Sequence, residues 1–151
     1  MMRYIECPSP EPIDPNEKSL FLAGGISNCP NWQLEVVNML KDSDWTIINP
    51  RRANFDLDNV QLLEPQIEWE HQRLLQASAI LFWFPAQTLC PITLYELGAW
   101  SMTNKPLFVG THPEYQRKYD VEIQTRLVRP EITIQDSLEK LVLQITNGGG
   151  L

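Results

Sequence analysis

The chain has 151 residues, of which 43% are hydrophobic and 21% charged, and this composition is typical of one folded domain. A net charge of −7 repels the phosphate backbone of nucleic acids and excludes them as expected partners. No apolar run approaches the roughly 20 residues of a membrane-spanning helix, and the N-terminus lacks the pattern of a signal peptide, so we expect a cytoplasmic protein that binds no membrane. Its 3 cysteines and 2 histidines lack metal-ligand spacing, so we expect no metal and no cofactor.

The predicted elements alternate between strands and helices, after an N-terminal segment that is rich in proline. Residues 1–17 contain four prolines and are predicted to form an extended arm on the surface. Strands are predicted over residues 19–23, 45–49, 79–84, 106–109 and 132–134, and helices over residues 31–42, 65–77, 93–103 and 137–145. Residues 148–151 are predicted to be a flexible tail, so the domain itself spans residues 18–147.

This alternation predicts the architecture of the domain. Strands separated by helices form parallel sheets through right-handed crossovers, with helices on both faces. We therefore expect an α/β, flavodoxin-like three-layer domain with a five-stranded parallel sheet. Ligands of such sheets bind beyond the carboxyl ends of the strands, so the residues that leave each strand are the candidates for a site.

Two groups of candidates follow the first and second predicted strands. Gly24 and Gly25 would let a ligand approach the backbone, although a plain tight turn explains a glycine pair equally well. Arg51 and Arg52 could bind a phosphate or carboxylate in bidentate geometry, or could form ordinary ion pairs on a solvated loop. The irregular segment of residues 51–64 is long for a connection, and we include its Phe55 and Asp56 among the substrate-binding candidates.

The next candidates follow the third and fourth predicted strands. Glu96 is predicted in the first turn of a helix, where the helix dipole and the free N–H groups favour its anionic form. A glutamate is also simply a favourable residue in a first turn, with no function implied. His112 leaves the fourth strand at the same end of the sheet, where it could reach the site or cap its own loop.

The helix predicted over residues 65–77 offers two further polar candidates, Glu70 and His71. The spacing predicts that Ile67, Leu74 and Leu75 face the core. We favour Glu70 over His71 as a catalytic group, because Glu70 shares one helical stripe with Ile67 and Leu74. In the alternative interpretation both side chains lie on the solvent side of an amphipathic helix.

Five motifs in a fixed order resemble the nucleoside 2-deoxyribosyltransferase-like family. They are SLFLAGG at residues 19–25, NPRR at 49–52, QIEWE at 66–70, ILFWFP at 80–85 and PITLYELG at 91–98. The resemblance covers about residues 18–145. It implies a flavodoxin-like fold and cleavage of a nucleoside N-glycosidic bond, in which the glutamate of the ELG sequence, here Glu96, attacks C1′ of the sugar and forms a covalent intermediate.

The resemblance also implies further site residues. Glu70 falls beside the position of a family aspartate that helps to place the substrate, and it would supply the second carboxylate. Phe21 stands where the well-studied transferases have a tyrosine, no aspartate precedes Glu96 in residues 88–93, and Thr93 completes the set of substrate-binding candidates.

These departures leave transfer and hydrolysis both open. The implied partners are a small nucleoside or nucleotide, with a phosphorylated form favoured by the arginine pair, and further copies of the chain in a homodimer or larger homo-oligomer. The alternative function is a nucleotide-binding sensor on the same fold that catalyses no reaction.

Overall fold

The computed structural model describes residues 1–53 and 59–148, and at its centre lies a five-stranded, all-parallel sheet. The strands are β1 (Arg3–Glu6), β2 (Ser19–Gly24), β3 (Thr46–Asn49), β4 (Ala79–Phe84) and β5 (Leu107–Thr111), in the spatial order β1-β3-β2-β4-β5. The helices are α1 (Trp32–Met39), α2 (Leu63–Gln76), α3 (Pro91–Ser101), α4 (Lys118–Val128) and α5 (Leu138–Thr146), and a 3-10 turn at Val60–Leu62 leads into α2. The predicted α/β, flavodoxin-like class is confirmed.

Two separate hydrophobic layers lie on the two faces of the sheet. Leu20 and Leu22 of β2 pack in one layer with residues of α1 and α5. Phe21 and Ala23 of the same strand pack in the other layer with residues of α2, α3 and α4. All six residues of β4 are buried, which explains why its sequence is apolar throughout rather than alternating.

The fifth strand is not the one that the sequence predicted. Residues 132–134 form no strand, and the only pairing near them is an isolated bridge between Gly110 and Gln135. The fifth strand is β1, at the edge of the sheet beside β3, so the prediction of a surface arm is wrong for Arg3–Glu6. The prolines of the arm all follow β1, where they leave its pairing with β3 intact.

Two helices also differ from the predictions. The helix α4 was missed by the sequence analysis, and it buries only two residues, Val121 and Thr125. In α2 the prediction that Leu74 faces the core is confirmed, but Ile67 and Leu75 are exposed, and the other buried residues are Gln66 and Arg73. A polar inner face on α2 brings hydrogen-bonding groups beneath the helix.

The strand order produces a crevice at the carboxyl edge of the sheet. The neighbouring strands β2 and β4 continue in opposite directions, since β2 leads to β3 on one side and β4 leads to β5 on the other. Their outgoing loops therefore separate at this point, which is where ligands of open α/β sheets bind. The helices α2 and α3 cover the same face of the sheet and bring their side chains toward this edge.

Candidate active site

Glu96 lies in the second turn of α3, not in the first turn as predicted. The helix begins at Pro91, two residues earlier than expected, after Cys90 has adopted a left-handed backbone conformation with φ 53° and ψ 56°. Its first turn contains no acidic residue. The stabilisation that a first-turn position would give the anion is therefore small, because the effect of the helix dipole fades beyond that turn.

The surroundings of Glu96 favour its protonated form. Burial, and secondly the negative charge of Glu70, raise the pKa of Glu96 from 4.5 to about 8. Burial removes water from the carboxylate, and the like charge adds repulsion. A pKa of about 8 is contrary to the expectation that Glu96 rests as an anion, because it favours the protonated carboxyl group at neutral pH.

Glu70 is the second carboxylate of the site and comes from α2. Burial raises its pKa as well, but a hydrogen bond from Gln66 and the positive charge of Arg52 oppose that rise. The charge of Glu70 in turn adds to the effect of burial in raising the pKa of Glu96. The two glutamates thus form a coupled pair between α2 and α3. His71, one residue further along α2, is exposed to solvent.

Gln66 connects this pair to the edge of the sheet and was overlooked in the sequence. Its Nε2 donates to the carbonyl oxygen of Pro50 and to Oε1 of Glu70, both at 3.1 Å. Its Oε1 accepts a hydrogen bond from the thiol of Cys7 at 2.9 Å. The spacing of four residues from Glu70 on one helix could have identified Gln66. Nothing local could have identified Cys7, which follows the overlooked strand β1.

The two arginines after β3 have different roles. Arg51 donates to the carbonyl oxygens of Pro30 at 2.8 Å and Cys29 at 3.1 Å, and to Oε1 of Gln33 at 3.1 Å. It therefore holds the loop after β2, contrary to the expectation that it binds a substrate anion. Arg52 instead points toward the carboxylates, because its Nε lies 3.5 Å from the Cys7 sulfur and its charge lowers the pKa of Glu70.

The two glycines at the end of β2 are packed against the protein's own side chains. A Cβ on Gly24 would come within 2.3 Å of the Trp32 ring and 2.5 Å of the Trp83 carbonyl oxygen. A Cβ on Gly25 would lie 3.0–3.2 Å from Thr88, Cys29 and Cys90. The carbonyl oxygen of Gly25 also accepts hydrogen bonds from Trp32 and Gln33. The expected close approach of a ligand is therefore replaced by the close approach of these side chains.

The remaining candidates lie apart from the carboxylates or inside the core. Phe21 is 1% exposed and belongs to the hydrophobic layer, and Thr93 is buried on the inner side of α3. The Nδ1 atom of His112 caps its own loop by accepting from the backbone N–H of Glu114 at 3.1 Å. His112 lines a cavity of about 280 Å³ beside Trp83 and the start of α5, so it joins the opposite face of the sheet. Phe55 and Asp56 lie outside the described residues.

A larger cavity lies between α3 and α4, and Glu96 does not line it. This groove of about 520 Å³ is bordered by apolar and polar side chains, among them Leu94, Leu97, Ser101, Val121 and Thr125. Within residues 1–53 and 59–148, no three histidine, cysteine, aspartate or glutamate side chains converge on a common point where a metal could bind. No helix in this part of the chain is long and apolar enough to cross a bilayer.

The comparison with protein families agrees with these observations. The model of the family described as nucleoside 2-deoxyribosyltransferase like matches residues 17–115, which is more than half of the chain. The match includes β2, both helices of the carboxylate pair and the loop that carries His112. No curated protein matches the chain. The chain therefore belongs to the nucleoside 2-deoxyribosyltransferase-like family, as its sequence motifs predicted.

Proposed function

We propose that this protein breaks the N-glycosidic bond of a nucleoside or nucleotide, with Glu96 as the nucleophile and Glu70 as the second catalytic carboxylate. The observation that supports this most is a pair of half-buried glutamates from α2 and α3, in which burial, and secondly the charge of Glu70, raise the pKa of Glu96 to about 8. Coupled carboxylates with separated pKa values are typical of sites that combine a nucleophile with an acid. Membership of the family suggests chemistry of the deoxyribosyltransferase kind.

The proton balance of the pair fits the reaction. The raised pKa of Glu96, about 8, keeps a proton within the pair near neutral pH. When an oxygen of Glu96 bonds to C1′, the C1′–N bond breaks and its electron pair moves to the departing base, which needs one proton. The minor form, with the proton on Glu70 and the charge on Glu96, has both the nucleophile and the acid ready. Water, in hydrolysis, or a second base, in transfer, then attacks C1′ of the glycosyl ester and releases the carboxylate of Glu96.

We propose that Arg52 binds the phosphate group of the substrate. Its charge acts on Glu70, so a phosphate held by Arg52 would lie near the carboxylates. Arg51 is not part of this proposal, because its guanidinium is bonded to the loop after β2. A 5′-monophosphate is therefore the preferred form of the substrate. Hydrolysis is preferred over transfer, because Phe21 lacks the hydroxyl group that orients the nucleophile in the well-studied transferases.

The experiment is incubation with a panel of deoxynucleosides and their 5′-monophosphates, followed by chromatography for free base. Parallel samples also contain a second free base. Transfer would join the sugar to this base and form a new nucleoside, whereas hydrolysis would not, so the two reactions can be distinguished. Glu70→Gln is the test variant, and Glu68→Gln is its matched control on the exposed side of the same helix. Binding of a monophosphate with no free base released would support the non-catalytic sensor and contradict the enzyme.

The rate should follow a bell-shaped dependence on pH. The alkaline limb should lie near pH 8, because above it the pair has lost the proton that the base needs. In Glu70→Gln the like charge is absent but the burial remains, so the pKa of Glu96 falls and the alkaline limb of any residual activity should move to a lower pH. A rate that only rises up to pH 9 would contradict the shared proton.

We further propose that the protein is a cytoplasmic homodimer formed through the outer face of α3. Ile92, Tyr95 and Met102 are exposed there at helical spacing, and Glu96 is the only charged residue of the helix. An apolar exposed stripe of this kind marks an interaction surface. Light scattering should show that Tyr95→Glu yields monomers, whereas Leu143→Glu, on the opposite layer, leaves the dimer intact. Three free cysteines agree with a reducing compartment.

A further inference from the structure

The segment after β1 contacts the carboxylate pair through one buried cysteine. Cys7 is 3% exposed, and its backbone N–H donates to the carbonyl oxygen of Asn49 at 3.0 Å, which anchors it beside the end of β3. Its thiol donates to Oε1 of Gln66 at 2.9 Å. Gln66 in turn donates to Glu70 at 3.1 Å. A continuous chain of hydrogen bonds therefore runs from the edge strand to the second carboxylate.

The acceptors around Gln66 determine the orientation of its amide. Nε2 faces the Pro50 carbonyl oxygen and the Glu70 carboxylate, which accept hydrogen bonds and do not donate them when Glu70 is ionised. The amide oxygen must then face Cys7, and it needs a donor there. Burial raises the pKa of Cys7, so the sulfur keeps its proton and serves as that donor.

We propose that Cys7 and Gln66 form a positioning pair for Glu70, in which the thiol proton orients the amide of Gln66 and the amide holds the Glu70 carboxylate in the site. The catalytic meaning of this pair rests on the proposed function, whereas the contacts themselves do not. Besides Gln66 on its own helix, Glu70 faces Arg52 from the segment after β3 and Glu96 from α3, and Cys7 acts on it through Gln66.

The pair favours the ionised form of Glu70, together with the charge of Arg52. A hydrogen bond to the charged form stabilises a carboxylate, and only Glu70 of the two receives one from Gln66. Without this bond the pKa of Glu70 rises toward that of Glu96, and the carboxylate can leave its position. Cys7 and Gln66 are positioning residues, since neither is assigned a contact with the substrate.

The test is a carboxyl ¹³C NMR titration of the protein without substrate, combined with kinetics. Gln66→Met keeps the length of the side chain but removes the amide, and Gln72→Met is the same change at an exposed position of α2. We expect a raised pKa of Glu70 in Gln66→Met alone. We also expect kcat to fall by about a hundredfold with KM nearly unchanged, because a carboxylate held out of place costs rate more than binding.

Cys7 is tested by two variants that keep Gln66 in place. Cys7→Ala removes the donor and should raise the pKa of Glu70 and lower kcat by roughly tenfold, whereas Cys7→Ser restores a donor and should recover most of both. An unchanged Glu70 titration in Gln66→Met and Cys7→Ala would overturn the inference, even if the enzyme turns over. A shifted titration in a protein that releases no base would contradict the proposed function and leave the positioning pair standing.

Discussion

Two regions at the carboxyl edge of the sheet were both candidate ligand sites, but they differ in their packing. The end of β2 has a glycine pair that could give room to a ligand, yet Trp32 packs against it, and Gln33 and Arg51 hold the loop that follows. The region between α2 and α3 has no glycine signal, yet it holds two coupled glutamates whose pKa values are raised by burial. Burying an ionisable group costs free energy, and such groups are therefore found most often at functional sites. A glycine pair, by contrast, can serve packing alone.

The largest expected effect is on turnover and comes from the second region. Glu96→Gln keeps the shape of the side chain but removes the nucleophile, so turnover should fall by about a thousandfold or more. Release of free base measures the rate, and mass spectrometry of the quenched protein detects the glycosyl ester. Wild-type turnover in Glu96→Gln, or a sugar adduct on another residue, would exclude Glu96 as the nucleophile.

The same substitution should change how stability depends on pH. A carboxyl group whose pKa is raised from 4.5 to about 8 by folding stabilises the folded state fully below pH 4.5, and this contribution is lost as the pH rises toward 8. The unfolding free energy of the wild type, relative to Glu96→Gln, should therefore fall across this window by a few kcal/mol at most. Denaturant unfolding of both proteins at pH 5 and pH 8.5 measures this difference in unfolding free energy. A constant difference between the two proteins would contradict a buried, protonated Glu96.

The two arginines can be tested for their different roles, with Arg52 expected to bind substrate and Arg51 expected to hold the loop after β2. Arg52→Ala should raise KM for a 5′-monophosphate by roughly tenfold to a hundredfold, as the loss of a charge-assisted contact of about 1.5–3 kcal/mol implies. KM for the unphosphorylated nucleoside should change little. Arg51→Ala should instead lower the melting temperature, because it removes the guanidinium that donates to the carbonyl oxygens of Cys29 and Pro30 and to Gln33. If Arg51→Ala removes the preference for phosphate, the assignment of the two roles is reversed.

The smallest expected effect concerns the glycines of the first region. Gly24→Ala should destabilise the fold by about 1–3 kcal/mol, because its Cβ would meet both the Trp32 ring and the rigid backbone of Trp83. Gly25→Ala should cost less, since its neighbours are side-chain atoms of Thr88, Cys29 and Cys90 that can shift by tenths of an ångström. Denaturant unfolding of both variants gives the comparison. An equal or larger cost at Gly25 would show that the loop is stiffer than its contacts indicate.

The sequence by itself determined the class of fold, four of the five strands and the family. Strands such as β4 are apolar on both faces because helices cover the sheet on both sides, and this requirement is visible in the local pattern. The motif around Glu96 was recognisable for a similar reason, since neighbouring residues along one helix carry it. These features depend on contacts between positions that are close in sequence or repeat at a regular spacing.

The tertiary structure alone decided the fifth strand, the inner face of α2 and the partners of the carboxylates. Arg3–Glu6 forms a strand because β3 offers it an edge, a contact across more than forty residues that no local pattern records. The rotation of α2 buries Gln66 rather than Ile67, because Cys7 and Pro50 supply hydrogen-bond partners beneath the helix. Whether Glu96 is charged depends likewise on the depth of burial and on Glu70, and both arise only when α2 and α3 pack on the same face of the sheet.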